Sequence, residues 1–129
     1  MPKKDWQDFE DKVRIYLQKK FNCELTKGSL NIKGKNKSFD LLNKDRKIVG
    51  DIKHYRNTKS GSEPSAKRSI LNEYVWILQK LPRRWRKIIV IGEDYNMAKK
   101  YIKDFYPWLN GVTFYYFDRK GKFEILKKG

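Results

Sequence analysis

Cysteine is almost absent from this sequence. Cys23 stands alone, so no internal disulfide can form and no cysteine-rich zinc site can be built. Histidine is as scarce: His54 is the only one, which excludes a two-histidine zinc centre and triads that need a second histidine. No apolar run approaches the roughly 20 residues of a membrane span. The opening Met-Pro-Lys-Lys-Asp-Trp carries no apolar signal region. These absences lead to the expectation of a soluble cytoplasmic protein with no membrane role.

Acids are also few. Lys and Arg number 31 against 15 Asp and Glu, a formal charge of +16. The excess runs from Lys3 to Lys128, so it is no detachable tail. A globular surface this positive repels itself and calls for a polyanionic partner. Nucleic acid leads, because neutralising phosphates releases counterions; an anionic membrane surface is the weaker alternative. Hydrophobic residues make up 39% and aromatics 15%, which points to a packed globule and not a disordered chain. With 129 residues, the chain is expected to form a single domain over 1–129 with its own core.

Periodicity places the elements. Trp6, Phe9, Val13, Tyr16, Leu17 and Phe21 recur at helical spacing and predict a helix over 5–21, with Asp5 as N-cap. Glu10 falls inside or beside the buried stripe of that helix, whereas Asp8 and Asp11 fall on its wet side. Residues 28–33 read as a short strand, 34–37 as a turn or loop, and 38–42 and 48–54 as a hairpin around 44–47. The polar stretch 55–64 reads as a loop. A helix is predicted over 65–81, ended by Pro82, with Ile70, Leu71, Tyr74, Val75, Ile77, Leu78 and Leu81 buried. Ile88-Ile89-Val90-Ile91, within 86–92, reads as a central strand covered on both faces. A helix over 95–109 and a closing hairpin of 112–117 and 123–126 complete the chain. The fold class expected is α/β (mixed α+β), a central mixed β-sheet flanked by helices.

An acid two residues before a lysine occurs four times, as Glu10-Asp11-Lys12, Asp45-Arg46-Lys47, Asp51-Ile52-Lys53 and Asp118-Arg119-Lys120. Only Asp51-Ile52-Lys53 lies within an apolar strand, where residues i and i+2 share a face. If the hairpin is symmetric about Asp45 and Arg46, Leu42 faces Val49 and Asp40 faces Asp51. Opposed residues have Cβ atoms about 5 Å apart. Two carboxylates that close repel unless a proton or cation lies between them. A hard divalent cation supplies the compensation, and Mg²⁺, with Mn²⁺ as a substitute, takes oxygen ligands.

The reading that follows has Asp40, Asp51 and the backbone carbonyl of Ile52 as metal ligands, with Glu10 joining directly or through water. Lys53 stabilises the transition state at a scissile phosphate or positions the water. The alternative is a surface hairpin with an ordinary Asp–Lys ion pair. His54 should point to the opposite face of the strand, in a packing role. Arg56, Lys59, Lys67 and Arg68 are the first candidates for phosphate contact, and Lys33, Lys35 and Lys37 the second. Trp76, Trp85 and Trp108 are candidates for base stacking, with core or interface packing as the other reading.

With Asp40, ten intervening residues and then Asp51-Ile52-Lys53, on strands in the expected order, the chain resembles the PD-(D/E)XK nuclease superfamily. The predicted elements along nearly the whole chain agree with that family's restriction endonuclease-like core, and the helix bearing Glu10 matches its first core helix. Phe39 stands where the family often has proline, and Asp51 where it more often has Glu. Length, charge and the early Glu look most like the small archaeal Holliday junction resolvases. The resemblance implies a Mg²⁺-dependent endonuclease hydrolysing DNA phosphodiester bonds, with junction or branched DNA as a candidate substrate, acting as a homodimer. Two other classes stay open: a non-catalytic nucleic-acid-binding module with the same fold, and an RNA-directed or host-defence nuclease.

Overall fold

The computed structural model describes residues 5–55 and 65–129. Six strands form one mixed sheet in sequential order, flanked by three helices. The order is α1 (Asp5–Phe21), β1 (Thr26–Ile32), β2 (Lys35–Asn43), β3 (Ile48–Tyr55), α2 (Ser65–Gln79), β4 (Arg86–Glu93), α3 (Tyr95–Phe105), a 3₁₀ turn (Tyr106–Trp108), β5 (Val112–Phe117) and β6 (Phe123–Lys127). β1–β2, β2–β3 and β5–β6 pair antiparallel, whereas β3–β4 and β4–β5 pair parallel.

Both parallel connections carry a helix and advance the same way across the sheet. Right-handed crossovers of that kind leave their helices on one face. One core layer accordingly joins Leu71, Val75 and Leu78 of α2 with Ala98, Tyr101 and Ile102 of α3 against Val49, Ile89 and Ile91. The other joins Phe9, Val13 and Leu17 of α1 with Leu41, Ile48, Ile52, Ile88 and Val90. The apolar run of β4 is thus buried on both faces, as its unbroken pattern predicts.

Several expectations are corrected. Residues 35–37, read as loop, belong to β2, and the turn is only Lys33-Gly34, both at positive φ. That is the backbone of a tight hairpin turn; polar residues continue the strand because its pairing with edge strand β1 keeps that part wet. The third helix ends at Phe105 and not 109, because Pro107 cannot donate to the helical ladder and the chain tightens into a 3₁₀ turn. Trp6, Tyr16 and Ile70, expected in apolar stripes, are exposed. Each sits at the margin of its stripe, where the sheet no longer covers it. Among the described residues, no helix is long and apolar enough to cross a membrane.

Close packing at Gly92 ties α1 to the sheet. A Cβ there would lie 2.0 Å from Phe9 Cζ, so only glycine admits the ring. Phe9 in turn stacks on His54, with centroids 4.5 Å apart. His54 is therefore a packing residue on the α1 face, as its position next to Lys53 in a strand requires.

Candidate active site

The site begins with an irregularity in β2. Thr26 pairs with Leu42, but Gly28 pairs with Phe39, so β2 carries one extra residue between them. This β-bulge falls at Asp40 and Leu41. A bulge re-aims the side chains of the strand that holds it. On the other side of β2 the predicted register with β3 holds, with Leu42 opposite Val49. That ladder stops at Leu41 and Gly50. Asp40 and Asp51 are therefore not a ladder pair, as hairpin symmetry had suggested.

They meet nonetheless, because their side chains replace the missing ladder bonds. The Asp40 amide donates to Asp51 Oδ1 at 3.2 Å, and the Ile52 amide donates to Asp40 Oδ2 at 3.0 Å. The two carboxylates thus occupy the gap where β2 and β3 part. Arg14 of α1 holds the bulge from outside, donating through Nη2 to the Asp40 carbonyl at 3.0 Å. In a strand the N–H and C=O of one residue leave by the same edge. The Ile52 carbonyl therefore also faces this gap.

Asp51 is almost wholly buried, and burial pushes its carboxyl up to about 7. The Asp40 charge and the hydrogen bond shared with Asp40 push the same way, and Lys53 opposes them. Lys53 Nζ lies 2.5 Å from Asp51 Oδ2 and 3.9 Å from the centre of the Tyr74 ring. Asp51 and Lys53 share a strand face, as their spacing predicts, and Tyr74 on α2 closes over it. Burial, with Asp51, Asp40 and Glu73 nearby, pushes the Tyr74 phenol up to about 12, so it stays neutral at ordinary pH.

Glu10 is buried beside the pair, and burial followed by the Asp40 charge raises its pKa. Its carboxylate is engaged by Lys27 of β1 at 3.3 Å. These residues line one cavity of about 580 Å³, whose walls include Glu10, Lys27, Asp40, Asp51, Lys53 and Tyr74.

A divalent cation can be tested against this arrangement. Two carboxylates, Asp51 buried and Asp40 half-buried, share the gap with the Lys53 ammonium. Asp51 Oδ2 is buried, and its partner among the described residues is the Lys53 ammonium. The donor set of Asp40, Asp51 and the Ile52 carbonyl is all oxygen, which suits a hard cation. Among the described residues, no three His, Cys, Asp or Glu side chains come together around one point. Glu10, read from the sequence as a ligand, is turned to Lys27 instead.

The proposed phosphate contacts divide. Arg56 and Lys59, and the side chain of Lys67, lie outside the described residues. Arg68 is turned away from the cavity, paired with Asp104 at 3.1 Å and lying over Phe105. Lys37 stands near the site, with its ammonium 4.6 Å from the Tyr74 ring centre and 3.7 Å from Glu73. Lys33 and Lys35 are exposed beyond the cavity wall. Sequence reasoning missed Lys27, Arg14 and Tyr74 as members of the site. Tyr74 was read as core, and only its half-buried position at the rim of α2 makes the ring a platform for Lys53.

No family model, curated protein or solved structure significantly matches this chain.

Proposed function

We propose that this chain is a Mg²⁺-dependent endodeoxyribonuclease with a restriction endonuclease-like, PD-(D/E)XK core. The observation that carries the reading is the meeting of Asp40 and Asp51 in the opened seam between β2 and β3, with Lys53 2.5 Å from Asp51. The order of elements from α1 to β4 agrees with the resemblance, and the +16 charge suits a nucleic-acid substrate.

In this reading Asp40, Asp51 and the Ile52 carbonyl hold the cation. When bound, a divalent cation supplies Lewis acidity at the phosphate and acidifies water. The Lys53 ammonium, paired with Asp51 and backed by Tyr74, stabilises the negative charge that grows on the phosphoryl oxygens. Water adds to phosphorus and gives up a proton to solvent, the P–O bond to the departing sugar breaks, and the leaving oxygen takes up a proton in its place, so one water is consumed. Glu10 shapes the field beside the pair through its contact with Lys27. A homodimer would set two such sites against the two strands of a duplex or junction.

The second reading is a nucleic-acid-binding module without catalysis, and the Glu10–Lys27 pair favours it, because it draws a third carboxylate away from the gap. One assay decides between them. Supercoiled, linear, single-stranded and four-way-junction DNA are incubated with the protein and Mg²⁺ or Mn²⁺. Metal-dependent cutting, lost in Asp51→Ala and Lys53→Ala while binding is kept, supports the nuclease. Binding without cutting on every substrate overturns it.

A further inference from the structure

A second cavity of about 870 Å³ opens at the other end of the molecule. It lies where α1 ends, β4 and β5 begin, and β6 closes. Lys20, Arg83, Arg84, Arg86, Lys87 and Lys128 line it. No Asp or Glu side chain is among its described lining residues. The ten-position step along α1 from Glu10 to Lys20 rises about 15 Å, so this cavity is separate from the one around Asp51.

Lys87 is the unusual member. It is buried, and its ammonium donates to the Leu81 carbonyl at 2.8 Å. Among the described residues, no carboxylate pairs with it or with Arg83, Arg84 or Arg86. Burial lowers its pKa, the sign of a charge held without a counterion. A buried cation without an anionic partner is costly. The guanidinium of Arg86 is spread over the Phe21 ring, 4.9 Å from its centre, and Lys20 lies 5.7 Å from the centre of Phe123. The nearby aromatic faces thus carry cations, so the cavity offers charge and donors in place of open platforms for base stacking.

We propose that this cavity is a second phosphate-binding site, which holds the sugar-phosphate backbone of a nucleic acid away from the Asp40–Asp51 centre. Among the described residues its cations have no carboxylate partner, and a phosphodiester supplies repeated negative charges to several of them at once. The arginines in the Pro82–Trp85 turn present planar, bidentate donors, which phosphate oxygens accept. The site does not depend on the cutting chemistry.

The test uses the full chain and a labelled DNA duplex without divalent metal, read by fluorescence anisotropy across a salt series. Arg83→Ser/Arg84→Ser changes two exposed turn residues outside both core layers. It should weaken binding by at least about tenfold at low salt and reduce the slope of log Kobs against log[salt] by about 2. The control is Lys99→Ser/Lys103→Ser, two exposed lysines on α3 that remove the same charge. Its loss should be much smaller. An equal loss in the control overturns the proposal, because net charge alone would then explain binding. So does an unchanged slope in the arginine variant. Inorganic tripolyphosphate, measured by calorimetry, separates the sources. If the arginines govern its affinity but not that of DNA, the cavity takes free phosphate compounds and the nucleic-acid assignment fails.

Discussion

The backbone amide of Asp40 donates to the side chain of Asp51 at 3.2 Å, across strands whose ladder has already ended. That bond lies beside the bulge in β2, where the ladder to β3 stops. The register of β2 and β3 sets Asp40 and Asp51 opposite each other, and at the opened seam their side chains take over from the ladder. The opening has a cost in lost ladder bonds and like-charge repulsion, and a cation in the gap would offset both.

Asp51→Asn should therefore separate stability from activity. The amide oxygen can still accept from Asp40, and its NH₂ can donate to the Asp40 carboxylate where two acids had repelled. In metal-free buffer the variant should melt no lower than wild type, with a gain of up to ~4 °C if ~1 kcal/mol of repulsion is relieved. Cutting should fall by about 10² or more. A clear drop in melting temperature with EDTA present would show that the pair is not repulsive.

The raised Asp51 pKa sets a pH dependence with a definite sign. A carboxyl whose folded pKa is about 7 binds more protons folded than unfolded between its ordinary range and that value. Its contribution to stability is fully present below about pH 4 and is lost as pH rises through about 7. The melting temperature of wild type relative to Asp51→Asn, measured in EDTA, should thus decline from acid to neutral pH. Added Mg²⁺ should reverse the decline above neutrality, since the cation favours the ionised form. A difference that is flat with pH would remove the raised pKa from the account.

Tyr74 should act through its ring and not its hydroxyl. Tyr74→Phe keeps the platform 3.9 Å from Lys53, whereas Tyr74→Leu removes it. With cation–π contacts worth roughly 1–2 kcal/mol where partly desolvated, the Leu variant should cut about tenfold more slowly and the Phe variant within about twofold of wild type. Equal losses in both would instead assign the hydroxyl a direct role.

Glu10 and Asp40 should differ in metal dependence. Glu10 is engaged by Lys27, so Glu10→Gln should shift the Mg²⁺ concentration for half-maximal cutting far less than Asp40→Asn does. Titration of each variant with Mg²⁺ measures this, and equal shifts would restore Glu10 to the ligand set.

Gly92→Ala addresses the packing behind the site. The new methyl would overlap the Phe9 ring, which must move together with the stacked His54. Overpacking of this kind costs typically 1–3 kcal/mol. Urea denaturation should show a loss in that range, and an unchanged midpoint would mean that α1 shifts freely on the sheet.

Much of the architecture was legible in local pattern. The unbroken Ile88–Ile91 run marked a strand buried on both faces, and the spacing of Phe9, Val13 and Leu17 marked the buried stripe of α1. The tight 44–47 turn set Leu42 opposite Val49. Spacing also placed Asp51 and Lys53 on one strand face. These features depend on residues near one another in the chain, where the side-chain periods of strand and helix act directly. Stripe margins were misread at Trp6, Tyr16 and Ile70, because helical spacing says which face is apolar but not how far the neighbouring sheet extends.

Only the tertiary structure decided the rest. The bulge at Asp40 arises from the pairing of β2 with β1, and the grip of Arg14 on it comes from α1. The partner of Glu10 is a lysine on another element, and the platform under Lys53 comes from a helix 21 positions further along. The basic cavity collects its cations from three separate segments. The sequence by itself determined which residues carry acid, base and apolar character and on which element each lies. Which of them meet was decided by long-range packing, since the burial of two opposite sheet faces sets helix positions that no local spacing records.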